Sequence, residues 1–234
     1  MRLTKKISDL IIVLLIVFVA VVGFYPQAVT PINANENYGA IYSGDKTNGC
    51  VALMFNVYEN TPVVERILDT LKEHNAQATF FVGGCWADDN KQTLIRILDE
   101  GHLLGNHGYF HKDHKKLSEK ANYEEIKNNH DIVKALCGYE MNLFAPPSGS
   151  FSTTTLKVAE KLGYKTIMWT KDTIDWRDSN LDTLFNRATK NLTSGDFILM
   201  HPKEHTAKVL DRVLTYIEKI GLQAKSVSAC LPKG

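Results

Sequence analysis

The 234-residue chain is 44% apolar and carries a formal charge of +1, so it can bury one domain-sized core and requires no second one. Near-neutral charge and the lack of a dense basic run in its body exclude a broad electrostatic attraction for nucleic acid. No repeat of fixed period occurs, which excludes a solenoid.

At the start, Arg2, Lys5 and Lys6 precede the uncharged run LIIVLLIVFVAVVGF at 10–24. A basic flank before roughly 15 apolar residues is export chemistry, on the border between a signal peptide and a spanning helix. INA before Asn35 is a poor cleavage match because Ile32 is large. The expectation is an anchor over 1–34 with its basic end inside, a linker over 35–49, and an extracytoplasmic body over 50–234, membrane-anchored or secreted.

In that body, strand patterns fall at 50–55 (CVALMF), 78–83 (ATFFVG), 102–107 (HLLGNH), 143–147 (LFAPP), 165–170 (KTIMWT), 196–201 (DFILMH) and 222–229 (LQAKSVSA). Helical faces alternate with them: Val64, Ile67, Leu68 and Leu71; Leu94, Ile95 and Leu98; Val209, Val213, Leu214 and Ile217. Gly101, Gly138, Gly163 and Gly221 stand where such helices stop. Strand and helix in succession predict an α/β fold, a distorted (β/α) barrel of about seven parallel strands with outer helices. Cys50, Cys85, Cys137 and Cys230 form no CxxC pair, which argues against a structural zinc cluster and leaves open which of them, if any, form disulfides.

Parallel strands bring their C-terminal ends to one rim, where the unusual polar residues collect. Asn56 follows the first strand, NHGYFHKDH (106–114) the third, PPSGS the fourth, KDTIDW (171–176) the fifth, and His201 ends the sixth. His107 and His111, four residues apart, can aim two imidazoles at one divalent ion, although either alone also reads as a packing residue. His114 reads as a solvated neighbour. Asp172 and Asp175 suit the task of fixing the tautomer of His201, which then acts as an acid toward a leaving amine; alone, each also reads as a turn former. Trp176, core or platform, would suit stacking on a sugar face.

With these residues assembled, the body from about Cys50 to Cys230 resembles the polysaccharide deacetylase family that shares the NodB homology domain. The matches are LMFNVYENTP where the family has TFDDGP, then ATFFVGG, EGHLLGNHGYFH, FAPPSGSF where it has RxPxGS, WTKDTIDW and DFILMH. The resemblance implies removal of N- or O-acetyl groups from chitin oligomers, peptidoglycan or xylan with a divalent metal, often zinc. It gives His107 and His111 the metal, His201 the role of acid, and Asp172, Asp175 or both the tuning of that acid. Asn56 stands where the family has its general-base aspartate, Val57 where it has a metal-binding aspartate, and Ala145 where it has the arginine that pairs with the base. Loss of the arginine suits loss of the base, since an arginine beside a neutral amide would be an uncompensated buried cation.

Val57 weakens the metal site most; Glu59 has the reach to return to the site but reads first as a solvated turn residue before the helix at Thr61, and Asp113 and His114 are weaker substitutes. The reading favoured at this level is a metal-dependent deacetylase of cell-wall glycan. The alternative is a pseudoenzyme that binds glycan or a protein partner through a cleft bordered by Tyr58, Tyr109, Trp169 and Trp176.

Overall fold

The computed structural model describes residues 39–232. The expected anchor, 1–34, lies outside them; among the described residues no helix is long and apolar enough to cross a membrane. In chain order the elements are β1 (Cys50–Val57), α1 (Thr61–Glu73), β2 (Thr79–Val82), α2 (Gly84–Asp89), α3 (Lys91–Asp99), β3 (Leu103–Asn106), α4 (Glu119–Cys137), β4 (Leu143–Phe144), α5 (Thr153–Lys161), β5 (Lys165–Thr166), β6 (Lys171–Asp172), α6 (Leu181–Thr189), β7 (Phe197–Met200), α7 (Glu204–Lys219), β8 (Gln223–Lys225) and α8 (Val227–Cys230).

All strand pairs are parallel, in the order β5-β4-β3-β2-β1-β7-β6, with β8 against the start of β1. The two ends of this order belong to one stretch of chain. Lys165 and Thr166 pair with β4, whereas Lys171 and Asp172 pair with β7, so the bent segment 165–172 closes the distorted barrel. The run expected as one strand at 165–170 is therefore split, and among the described residues eight short strands stand where about seven were expected. Its middle pairs elsewhere: Ile41 bridges to Ile167, donating to Thr166 O at 2.8 Å and accepting from Met168 N at 2.8 Å.

Three boundaries differ from the sequence reading. The domain begins before Cys50, since Gly44 N donates to Gly195 O and Asp45 N to Cys230 O, so 41–49 is part of the body rather than linker. Strand β4 stops at Phe144 because Pro146 and Pro147 carry no N–H for a ladder. The pattern at 222–229 gives only β8 before the chain turns into α8.

Alternation along β1 sorts its side chains into two cores. Val51, Leu53, Phe55 and Val57 face outward into a layer shared with Val64, Ile67, Leu68 and Leu71 of α1 and with Val209, Val213, Leu214 and Ile217 of α7. Cys50, Ala52 and Met54 face the barrel interior with Phe81, Ala145, Phe197, Leu199 and Val227. Gly105 on β3 makes room there for Phe81, whose ring carbon would lie 2.4 Å from an added Cβ. On α3 the buried stripe is Leu94 and Ile97 with Leu98 partly covered; Ile95 points outward, 100° off that line. Helix α4 ends at Gly138, whose φ of +70° suits a residue without Cβ. A disulfide joins Cys50 to Cys230, and Cys85 and Cys137 are free thiols.

Candidate functional site at the barrel mouth

The inward face of the barrel ends in polar groups. The alternation that buries Met54 and Leu199 brings Asn56 and His201 to the same face one step further on. The register Phe55↔Met200 sets these two side by side on β1 and β7. His107 leaves β3, anchored by its backbone N–H on Val82 O at 3.0 Å, and its Nδ1 donates to Ala145 O at 2.7 Å. The following loop is a tight turn, with φ of +72° at Gly108 and +54° at His111, and it sets the His107 and His111 rings 5.1 Å apart.

Buried groups from α4 hold this loop. Asn106 Oδ1 accepts from Gly108 N and from Asn129 Nδ2, both at 2.9 Å. Glu125 accepts from Phe110 N at 2.8 Å and pairs with Lys112 at 3.1 Å. His114, expected at the surface, is fully buried, with Nδ1 bonded to Asn122 Oδ1 at 2.8 Å. It faces α4 and the ring of Phe144.

The three imidazoles share one space and repel each other's protons. Burial, followed by the nearby His111, drives His107 down to about 3, with His201 adding to the effect. His111 is lowered by burial and by His201. His107 is thus a neutral ring with Nδ1–H fixed on a carbonyl and Nε2 bare.

His201 is locked by Asp175. Asp175 Oδ1 accepts from His201 Nδ1 at 2.7 Å, and Oδ2 accepts from His201 N at 2.8 Å and Thr206 Oγ1 at 2.6 Å. Burial alone would raise this carboxyl, but the His201 and Thr206 bonds outweigh it and hold Asp175 below the usual range. The backbone oxygen of Asp175 accepts from His205 Nε2 at 2.7 Å. Asp172, the other candidate for this task, accepts from Ile174 N at 2.8 Å and shapes the turn instead. Trp176 stands out from the same loop, 58% exposed.

The β1 corner supplies no carboxylate to the imidazoles. Asn56 is buried, and its Oδ1 has no hydrogen-bond partner among the described residues. Val57 is fully buried in the outer apolar layer. Glu59 is ion-paired with Lys203, and Asp113 is bound to Ser150 Oγ at 2.5 Å and Lys116 at 3.0 Å. Among the described residues no group of three or more His, Cys, Asp or Glu side chains is placed to hold one metal ion. Two imidazoles fall short of the three protein ligands of a catalytic zinc, so this donor set does not fit the divalent ion that the resemblance implies.

Sequence reasoning missed the Ala145 carbonyl, which leaves no trace in a side-chain pattern, and Thr206, which lies 31 residues from its partner. It also missed the α4 supports, for which a signal existed. Asn122, Glu125, Ile126, Asn129 and Val133 follow a helical stripe, and three polar residues on a core-facing stripe mark a buried network.

Comparison with known proteins agrees with this geometry. Residues 43–167 match the family model for polysaccharide deacetylase. The Bacillus subtilis protein YlxY is 35% identical over 188 residues, 80% of this chain and 59% of its own length. The peptidoglycan-N-acetylglucosamine deacetylase of Bacillus cereus is 32% identical over 197 residues, 82% of this chain and 72% of its own. Among solved structures, BA3943, a CE4 family pseudoenzyme from Bacillus anthracis, superposes with a TM-score of 0.80 at 34% identity, covering 83% of this chain and 69% of that one.

Proposed function

The chain belongs to the polysaccharide deacetylase family, and from that membership we propose that it binds cell-wall glycan at the barrel mouth as a pseudoenzyme. One observation carries this reading: β1 ends in an amide and a buried isopropyl group, and the nearby carboxylates of Glu59 and Asp113 are engaged away from the paired imidazoles. A general base alone is worth about 10²- to 10⁴-fold in rate, and here the base position holds Asn56 while the metal position holds Val57. The likeness to the B. anthracis pseudoenzyme supports the same reading. Trp176 and Phe110, 58% and 54% exposed, flank Asp175 and His111 in sequence and offer flat faces for pyranose rings. The cell-wall substrate of the B. cereus relative supports a place of action outside the membrane, with 1–34 proposed as export signal or anchor.

A second reading, residual deacetylase activity, is favoured by the fully assembled His201–Asp175 pair. It needs a divalent ion, zinc in the resemblance, held by only two side chains.

Cosedimentation of the full chain with purified peptidoglycan in EDTA tests the proposal. Saturable binding is expected to persist without metal and to weaken roughly fivefold in Trp176→Ala, the scale of an aromatic contact of about 1 kcal/mol. Failure to bind any glycan, or binding abolished by EDTA, would overturn it.

A further inference from the structure

One buried carboxylate behind the mouth loop, Glu125 of α4, acts at two points of that loop. Its Oε2 accepts from the backbone N–H of Phe110 at 2.8 Å, and its Oε1 pairs with Lys112 Nζ at 3.1 Å. Both points concern one exposed ring. The Lys112 ammonium, tied down in this way, lies over the face of Phe110 at 4.9 Å from the centroid, while the Tyr109 ring meets Phe110 edge-on at 4.6 Å. Phe110 is thus fixed at its backbone and covered on one face, yet 54% exposed. Trp176 repeats the pattern with surface partners: Arg177 lies 5.7 Å from its ring, and Asp178 binds that guanidinium through both oxygens.

A phenyl ring free to swing on a loop loses that freedom when a sugar settles on it, and the loss subtracts from affinity. A ring already held avoids it. Because Glu125 stands on a long helix, the hold on Phe110 comes from a rigid element and not from the loop itself. We propose that Glu125 is a positioning residue for glycan binding: through the Phe110 N–H and Lys112 it presets Phe110 as a one-sided platform for a pyranose ring. This rests on the glycan-binding reading above and names, for one of its two platforms, the residue that orients it.

Cosedimentation of the full chain with purified peptidoglycan in EDTA, read as a double-mutant cycle, tests the assignment. Phe110→Ala is expected to weaken binding about fivefold, and Glu125→Gln, which keeps an acceptor for Phe110 N but gives up the ion pair, about threefold. On the Phe110→Ala background, Glu125→Gln is expected to cost nothing further, because the ring it orients is gone. Lys112→Met reaches the same pair from the half-exposed side with the α4 carboxylate in place, and keeps the test decisive should Glu125→Gln fold poorly. It is expected to show the same loss and the same dependence on Phe110. A merely structural role would lower affinity by one factor with or without that ring. Such a uniform loss, or unaltered binding by any of the three single variants, would overturn the assignment and leave glycan binding intact. Absence of binding by the unsubstituted chain would overturn both.

Discussion

Asp175 is buried and held by three donors, so its role can be tested by removing the charge while keeping the shape. In Asp175→Asn one acceptor becomes an NH₂ group facing donors from His201 or Thr206. The expected cost is about 2–3 kcal/mol in urea unfolding, the scale of a buried charge-assisted bond lost; an unchanged midpoint would contradict the assignment. Asn56→Asp is expected to cost about 1–3 kcal/mol alone, because a second carboxylate enters a mouth that already holds Asp175 and has Ala145 in place of a cation. Adding Ala145→Arg should recover part of that loss in the same unfolding measurement. The places of Asn56, His107 and His201 were legible in the sequence because each stands at a strand end, and strand ends of a parallel barrel converge; that of His111 followed from its four-residue spacing from His107. The choice between Asp172 and Asp175 was not, since a three-residue difference in a loop is settled by backbone bonds such as Asp172 to Ile174.

At the level of elements, glycines let rings approach the backbone around the mouth. A Cβ on Gly83 would lie 2.1 Å from the ring of Tyr58, and one on Gly84 would lie 2.3 Å from the ring of Tyr109. Tyr58 in turn meets the His111 ring at 5.2 Å. Gly83→Ala is therefore expected to displace Tyr58 and lower stability by about 1–3 kcal/mol, the usual cost of overpacking. A changed environment for His111 in the NMR spectrum would locate the effect, and an unperturbed His111 would contradict this packing. The order of strands and helices was readable from alternating apolar runs. Their ends were not: β4 yields to two prolines, and the 165–170 run is divided by the pairing of Ile167 with Ile41, a residue 126 positions earlier. Long-range pairing of that kind has no local pattern.

For the whole molecule, buried neutral histidines make acid the main threat. Burial lowers His102 to about 4 and His107 to about 3, and it lowers His111 and His114 as well. The unfolded chain takes up these protons near the ordinary value of about 6.5, whereas the native state resists them. Stability is therefore complete above that value and falls as pH drops from it toward about 3. His74 opposes this trend: burial lowers it, but Asp211 and Glu218 outweigh the burial and raise it. Four lowered histidines against one raised give a net loss, which urea midpoints at neutral and mildly acidic pH will show. The Cys50–Cys230 disulfide closes a loop of 180 residues, and its reduction is expected to cost on the order of 2–5 kcal/mol. Pairing of these two cysteines could not be read from the sequence, because it depends on α8 returning to the start of β1. The most direct test of the central claim is acetate release from peptidoglycan and N-acetylglucosamine oligomers by the full chain at saturating zinc. The account predicts none above the rate without protein. Steady turnover that is lost in His107→Ala would contradict it.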